Sequence, residues 1–296
     1  MGTRLHPIII IGAGRSGTKL LRRVLDKAPG TVAFPHEINY IWRFGNARYP
    51  TDELLPKHAR PEVVSYIRNR FRTWSNKNNQ SRVIEKTCAN SLRVDFVYKV
   101  FPDAHFIHLI RDGRAVVESA CRRWKASPRI PYLLEKFRWV PIRDMPYYFL
   151  RFLNYQLGRF SGDSEAMNSW GPRFEGMDQV VREKSLIEVC ALQWKKCVRA
   201  SSNALNKVPQ SQVTTVIYED FVKNPIYVLK GFFDRAGLEF TDECEAYIMD
   251  HVSVSHIDKW RDRLNSEEMD LVMDIIEDEL RDFEYLPEGL PQNGEY

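Results

Sequence analysis

The sequence predicts an α/β fold in three layers, with a central parallel sheet flanked by helices. Two observations predict it: short apolar runs recur along the chain, and each is followed by a segment with the spacing of an amphipathic helix. At 296 residues, the chain is long enough to bury one large core. Because no repeat, low-complexity tract or linker divides it, we expect a single domain over residues 1–296.

The expected strands are short, and the helices between them are amphipathic. The apolar runs predicted as strands are Pro7–Ile11, Thr31–Phe34, Arg82–Lys86, His105–Ile110 and Gln212–Ile217. A first helix is expected directly after the first strand and its loop. The further segments predicted as helices are Pro61–Trp74, Asn90–Phe101, Arg114–Trp124, Lys184–Lys207, Ile226–Ala236 and Ser266–Asp282.

A glycine-rich loop, Gly-Ala-Gly-Arg-Ser-Gly-Thr-Lys at 12–19, joins the first strand to the first helix. Glycines let backbone N–H groups approach an anion, and the helix N-terminus adds unpaired donors. The loop is P-loop-like, but a triphosphate-binding P-loop needs Gly-Lys and then Ser or Thr. Here Thr18 follows Gly17, and Lys19 comes one position later. Arg15 suits a compact tetrahedral anion such as a phosphosulfate; the alternative is a plain strand–helix turn.

A second basic motif, His-Leu-Ile-Arg-Asp-Gly-Arg at 108–114, ends the fourth strand. Ligands of open parallel sheets bind at this edge, where Arg111 is expected. Ser119 and Arg123 follow on one side of the next helix, because they are four residues apart. Arg111 and Ser119 are therefore predicted to hold a second phosphate. The alternative is a structural ion pair between Arg111 and Asp112.

Composition indicates an ordinary globular protein with an anionic ligand. The formal net charge is +4, but residues 1–265 carry 42 basic and 28 acidic side chains, which favours an anionic ligand or partner. No nucleic-acid recognition motif is present, so we expect none as partner. Five cysteines without a CxxC pair predict reduced thiols and neither a disulfide framework nor a zinc site. With no secretory signal and no apolar run near the roughly 18 residues of a membrane span, a cytoplasmic location is expected.

Residues 126–180 interrupt the alternation of strands and helices with an aromatic-rich insertion. Within it, Pro146–Phe160 is predicted to form an amphipathic helix. The insertion is expected either to pack as a cover over the core or to form a lid on an acceptor site, since aromatic faces bind sugars and apolar groups. Arg143, Arg151 and Arg159 on its other side also suit peripheral contact with a membrane surface.

Taken together, the loop Arg-Ser-Gly-Thr-Lys, the Arg-Asp-Gly-Arg motif with its later serine, and Val-Ile-Tyr-Glu-Asp-Phe-Val-Lys-Asn-Pro at 216–225 resemble the sulfotransferase superfamily. Its members transfer a sulfuryl group from 3′-phosphoadenosine 5′-phosphosulfate (PAPS) and leave adenosine 3′,5′-bisphosphate (PAP). The branch with tyrosylprotein and many bacterial sulfotransferases is most similar, because Lys86 precedes Phe101-Pro102 by its fifteen-residue spacing. Lys19 departs from the threonine of that branch.

The resemblance implies the site residues. The 5′-phosphosulfate would be held by Gly14, Arg15, Ser16, Gly17 and Thr18, and Lys19 is also expected at this site, with its charge as the alternative to the hydroxyl contact of the family threonine. The 3′-phosphate and the rest of the donor would be held by Arg111, Ser119, Arg123, Tyr218, Ser255 and Lys259. Arg15 and Lys86 would neutralise the bridging and sulfuryl oxygens. The histidine that acts as base in the cytosolic branch is replaced by Cys88, so Glu37 is the predicted base and His36 the second choice. The family implies no metal.

The predicted activity is sulfuryl transfer from PAPS to a hydroxyl acceptor, which we expect to be a carbohydrate, a glycolipid or a small natural product. Protein tyrosine is the alternative acceptor. A P-loop kinase of a nucleotide or small molecule would also use the first loop, but it predicts binding of magnesium–ATP. A non-catalytic nucleotide-binding module would bind PAPS and modify nothing.

Overall fold

The fold is built on a five-stranded sheet in which every strand pair is parallel. The computed structural model describes residues 5–126, 139–150 and 170–286. The strands are β1 (Ile8–Ile11), β2 (Thr31–Ala33), β3 (Arg82–Lys86), β4 (His105–Ile110) and β5 (Val213–Ile217). Their order across the sheet is β2-β3-β1-β4-β5. The predicted parallel α/β sheet is therefore confirmed, and each strand differs from its prediction by at most one residue.

Helices cover the sheet in the described part of the chain. They are α1 (Thr18–Leu25), α2 (Asn39–Trp42), α3 (Pro61–Asn78), α4 (Val94–Val100), α5 (Gly113–Lys125), α6 (Met177–Glu183), α7 (Leu186–Leu205), α8 (Tyr218–Lys223), α9 (Pro225–Ala236), α10 (Asp242–His251) and α11 (Ser266–Asp282). The helix predicted at Asn90–Phe101 is shorter, because a 3₁₀ turn at Cys88–Leu92 precedes α4.

The central strand shows why a parallel sheet forms here. All four isoleucines of β1 are fully buried, as expected for a strand covered on both faces. Ile9 and Ile11 pack in a core with α3 and α4, whereas Ile8 and Ile10 pack against α1, α9 and α10. A third core joins α5, α7 and α11 around Trp194.

Local capping positions the helices that matter for the site. Asp112 caps α5 by accepting the Arg114 N–H at 2.9 Å, and Ser185 forms a capping box with Glu188 at the start of α7. Of the predicted helix Pro146–Phe160, residues 146–150 are helical, and the rest lies outside the described residues. None of the helices in the described ranges combines the length and the apolar character that a membrane span requires.

Candidate active site

The glycine-rich loop leaves β1 and ends at the first turn of α1. Gly17, with φ of 86°, precedes the helix in the left-handed region, where glycine is unstrained. The Tyr218 ring packs directly beneath it, since a Cβ at Gly17 would lie 2.4 Å from that ring. Gly12 approaches β4 so closely that its Cβ would lie 2.7 Å from the Leu109 carbonyl oxygen. The loop therefore presents backbone donors above a tyrosine ring, next to the end of β4.

Arg111 occupies the end of β4, as the sequence predicts. Its Nη1 donates to the Arg15 carbonyl at 2.9 Å and its Nη2 to the His256 carbonyl at 2.8 Å. Its guanidinium lies over the Tyr218 ring, 4.3 Å from the centroid. Among the described residues, its buried Nε has no hydrogen-bond partner. A buried, unsatisfied donor on a cation indicates a place for an anion.

The structural ion pair considered for Arg111 and Asp112 is not the arrangement found. Asp112 pairs with Arg114 at 2.8 Å. Ser119, one to two turns into α5, instead accepts a hydrogen bond of 2.9 Å from Arg15 Nε. The two basic motifs, predicted to form neighbouring anion sites, are therefore joined by a side-chain contact between residues 104 positions apart.

Lys86 ends β3 and meets the predicted base. Its Nζ lies 2.5 Å from Glu37 Oε1 and 3.6 Å from Cys88 Sγ. Cys88 Sγ also lies 3.8 Å from Thr18 Oγ1 at the start of α1. Burial, and then the neighbouring Glu37, raises the pKa of the Cys88 thiol to about 11, so it stays protonated at neutral pH. Half-buried His36 lies beside Glu37 in the chain.

A buried polar network that sequence reasoning missed supports this pair. Thr87 Oγ1 accepts from the Ile38 N–H at 3.1 Å and donates to Glu85 Oε1 at 2.5 Å. Asn90 Nδ2 donates to the other Glu85 oxygen at 2.9 Å. Burial raises the pKa of the fully buried Glu85 to about 7. The network connects the loop of Glu37 to the end of β3. In the sequence, the available sign of this network was the carboxylate of Glu85 inside a buried strand.

The charges around the two motifs are mostly positive. Burial, followed by Arg122 and Arg111, lowers the pKa of Arg15. Burial, followed by Arg23 and Arg22, lowers the pKa of Lys19. Clustered cations repel one another, and a bound anion relieves that repulsion. In the ranges that the structure describes, no three His, Cys, Asp or Glu side chains lie together as a metal site would require.

The residues predicted to bind the rest of the donor lie near the glycine-rich loop and Arg111, but they differ in how closely they contact these two motifs. Tyr218 packs beneath the loop, as described above. Arg123 lies four residues after Ser119, and its charge contributes to the lowered pKa of Arg15. Ser255 and Lys259 lie on an exposed segment whose His256 carbonyl binds Arg111, and Lys259 Nζ lies 3.0 Å from His256 Nδ1.

The described ends of the insertion flank this site. A Cβ at Gly14 would lie 3.3 Å from the Trp170 ring, so the C-terminal end of the insertion contacts the loop. At the other end, Tyr148 packs edge-on against Tyr40, with centroids 4.6 Å apart, and Tyr40 follows Glu37 by three residues. Neither contact could be predicted, because nothing in the sequence says which aromatic residue reaches which loop.

Comparisons with known proteins agree with this architecture. A model of the sulfotransferase family matches residues 7–148. Three solved structures are similar: a sulfotransferase domain from the curacin biosynthetic pathway (16% identity, TM-score 0.53, 92% of this chain and 97% of that one), one from the Synechococcus PCC 7002 olefin synthase (17%, 0.52, 92% and 95%), and sulfotransferase STF9 from Mycobacterium avium (14%, 0.52, 97% and 78%).

At these identities the structural likeness shows the fold alone. No curated protein matches the chain in sequence. The family model, however, spans the glycine-rich loop, the Lys86 strand and the Arg111 motif, which are the parts of the chain that meet in the site. Residues 7–148 therefore match the sulfotransferase family, and the described residues have the fold that solved sulfotransferase structures share.

Proposed function

We propose that this sulfotransferase transfers a sulfuryl group from PAPS to a hydroxyl acceptor without a metal ion. Sulfotransferases of this family use PAPS. The observation that carries the proposal is the pairing of two cationic sites at the ends of β1 and β4, joined by the bond between Arg15 and Ser119. A nucleotide with phosphate at both the 3′ and 5′ positions presents two anions to such a site.

The residues present fit this donor. The loop from Gly14 to Gly17 and the first turn of α1 offer backbone N–H groups and a helix dipole to the 5′-phosphosulfate. The unpartnered Nε of Arg111 fits the 3′-phosphate, since a charge-assisted bond satisfies a buried donor. Ser119 Oγ supplies a hydroxyl to the same group. The Tyr218 ring stacks against the Arg111 guanidinium and holds it in place.

The bound donor supplies a sulfuryl group activated by its bond to phosphate. Glu37 accepts the proton of the acceptor hydroxyl as that oxygen attacks sulfur, and Lys86 stabilises the charge that develops on the departing phosphate oxygen. The two groups are ion-paired at 2.5 Å, so each neutralises the other before substrates bind. When Lys86 turns to the donor, the Glu37 carboxylate becomes available as a base.

Glu37 is better supported than His36 as the base, because its carboxylate contacts Lys86 Nζ at 2.5 Å. The Thr87 hydroxyl accepts the N–H of Ile38, the residue directly after Glu37, and thereby holds this stretch of backbone against β3. A base must lie within hydrogen-bond reach of the proton it accepts. Parallel substitutions Glu37→Gln and His36→Gln decide between them, because loss of turnover identifies the base.

We place the acceptor under the insertion at 126–180, within one sulfotransferase domain over residues 1–296. Tyr40 and Tyr148 lie beside the Glu37 loop, and aromatic faces of this kind bind sugar rings and apolar groups. The acceptor is then a carbohydrate, a glycolipid or a small natural product, with protein tyrosine as the alternative. Ile142, Phe149 and Leu150 are 86%, 53% and 60% exposed, which with Arg143 suits peripheral contact with an anionic membrane.

Thermal-shift titration tests the donor, since a ligand that binds the native state raises Tm. PAP without metal should stabilise the wild-type enzyme, whereas stabilisation only by magnesium–ATP would favour the kinase alternative. Arg111→Ala should lose the shift, while Arg72→Ala, an exposed arginine on α3 paired with Asn69, should keep it. A screen of hydroxylated acceptors with labelled PAPS then identifies the acceptor.

A further inference from the structure

We infer that Asp52 is a positioning residue for sulfuryl transfer, whose carboxylate holds the loop of the base and the segment packed on the glycine-rich loop in one arrangement. The inference rests on the proposed function, because it takes Glu37 as the base and the glycine-rich loop as the donor site. Asp52 lies between α2 and α3, and only 4% of it is exposed.

One carboxylate oxygen of Asp52 binds the helix that follows the base. Its Oδ1 accepts a hydrogen bond of 3.2 Å from Asn39 Nδ2 and one of 3.0 Å from Arg43 Nη1. Asn39 is the first residue of α2, and Arg43 directly follows the last. Because Glu37 lies only two residues before Asn39, the placement of the base depends on the contacts that α2 makes with Asp52.

The other carboxylate oxygen of Asp52 binds the chain that returns from the insertion. Its Oδ2 accepts the Arg173 N–H at 2.9 Å, and the Asp52 N–H donates to the Arg173 carbonyl at 2.7 Å. Arg173 follows Trp170, the residue that packs against Gly14, by three positions. Gln193 on α7 holds the same stretch, since its Nε2 donates to the Trp170 carbonyl at 3.2 Å. Asp52 therefore helps to fix where Trp170 lies on the glycine-rich loop.

The surroundings of Asp52 favour positioning over stabilisation as its role. Arg93, whose side chain is fully buried, lies 3.6 Å from Asp52 Oδ1 and donates to Asn39 Oδ1 at 2.6 Å. Two buried arginines, Arg43 and Arg93, thus share this carboxylate. The cost of taking such charges out of water offsets most of their attraction, so the cluster is a poor source of net stability. It does fix geometry, and a misplacement of about 1 Å can cost about a hundredfold in rate.

Amide hydrogen exchange tests the two arms of Asp52 without any acceptor. Asp52→Asn keeps the size of the side chain but removes the charge and one acceptor oxygen, so exchange should become about tenfold faster in peptides covering 37–43 and 170–176. Asn39→Ala should accelerate exchange in the first segment alone. If Asp52→Asn leaves either segment at the wild-type rate, Asp52 does not connect them and the inference is wrong.

The matched control is Glu279→Gln, which removes a buried carboxylate on α11 that is likewise paired with two cations, Lys195 and Arg199. Glu279 is 1% exposed, so its loss should lower Tm as the loss of Asp52 does. It should leave exchange in both segments unchanged, because neither contacts this ion pair.

Turnover at saturating labelled PAPS, with the acceptor that the screen selects, gives the functional readout. Asp52→Asn and Asn39→Ala should each lower kcat about tenfold or more. The Kd for PAP should stay within about threefold of wild type, because Arg111 holds the glycine-rich loop through the Arg15 carbonyl. The double variant should lose little beyond the larger single loss, since both side chains act through one hydrogen bond.

A loss of kcat in Glu279→Gln equal to that in Asp52→Asn would mean that Asp52 only stabilises the fold. Wild-type kcat in Asp52→Asn would also overturn the positioning role while the proposed function stands. If thermal melts show that Asp52→Asn does not fold, wild-type kcat in Asn39→Ala has the same meaning. A wild-type enzyme that neither binds PAP nor transfers the label would overturn the proposed function itself.

Discussion

Replacing Glu37 by glutamine should stop turnover and at the same time tighten the binding of PAP. The carboxylate is the proposed base, and loss of a general base costs about 10²–10⁴-fold in rate. It is also the partner of Lys86 at 2.5 Å. A neutral amide no longer competes with the nucleotide for that ammonium, so part of the cost of freeing Lys86 disappears.

The size of the binding effect follows from how well the pair is shielded. The side chains of Lys86 and Glu37 are 12% and 29% exposed, so the pair is partly open to water. Partly exposed ion pairs contribute about 0.2–1 kcal/mol, and the shielding of Lys86 favours the upper end. A gain near 1 kcal/mol corresponds to binding that is about fivefold tighter.

Calorimetry with PAP and a single-turnover assay with labelled PAPS measure the two effects on one preparation. His36→Gln is the matched control, because it changes the neighbouring residue and leaves the ion pair. The reasoning fails if Glu37→Gln keeps wild-type turnover. It also fails if Glu37→Gln loses turnover but binds PAP more weakly than wild type, since the carboxylate would then be holding the site together.

Three further outcomes are expected. Gly17→Ala places a side chain at φ of 86° and a Cβ 2.4 Å from a tyrosine ring, so thermal and chemical melts should show a loss of about 1–3 kcal/mol in the free energy of unfolding and PAP binding should disappear. Burial raises the pKa of Glu85 from 4.5 to about 7; the folded state retains a proton that the unfolded state releases in this window, so stability falls as pH rises through it. Relative to Glu85→Gln, the free energy of unfolding of the wild type should fall by about 3 kcal/mol between pH 4 and 8. If both proteins show the same dependence of stability on pH, the raised pKa of Glu85 is contradicted. Ile142→Asp and Phe149→Asp should reduce sedimentation with anionic vesicles, whereas Tyr227→Asp on α9, where the side chain is 83% exposed against 86% for Ile142, should not; equal effects would remove the case for a membrane-facing patch.

Much of the fold could be predicted because it depends on local patterns. The four isoleucines of β1 indicate a strand, and the apolar residues Leu20, Leu21, Val24 and Leu25 indicate a helix by their spacing, without any distant information. The start of α4 could not be predicted to the residue. Cys88–Leu92 forms a 3₁₀ turn in which Asn90, like Thr87 just before it, bonds to buried Glu85, and single side-chain bonds of this kind leave no periodic signal in the sequence.

For the site, the sequence identified which residues belong to it but not how they face one another. Lys86 and Glu37 were expected separately, and the resemblance to a known family supplied their roles. Their contact depends on the loop after β2 folding back over β3, a matter of tertiary structure. The side-chain direction of Arg15 is likewise set by Ser119, 104 residues away, so no spacing rule could reveal it.

The strand order explains why these separate motifs can serve one reaction. Glu37 follows β2, Lys86 ends β3, the glycine-rich loop follows β1 and Arg111 ends β4, and the sheet runs β2-β3-β1-β4. Adjacent strands lie about 4.8 Å apart, so the span from the first to the last is about 14 Å. The proposed base, leaving-group cation, phosphosulfate site and 3′-phosphate site therefore lie in a line in the order in which an acceptor and an extended bisphosphorylated nucleotide would meet them. Along the chain, the glycine-rich loop comes before Glu37. In the sheet, β1 lies between β3 and β4, and this crossover places the reacting groups in the spatial order that the reaction needs.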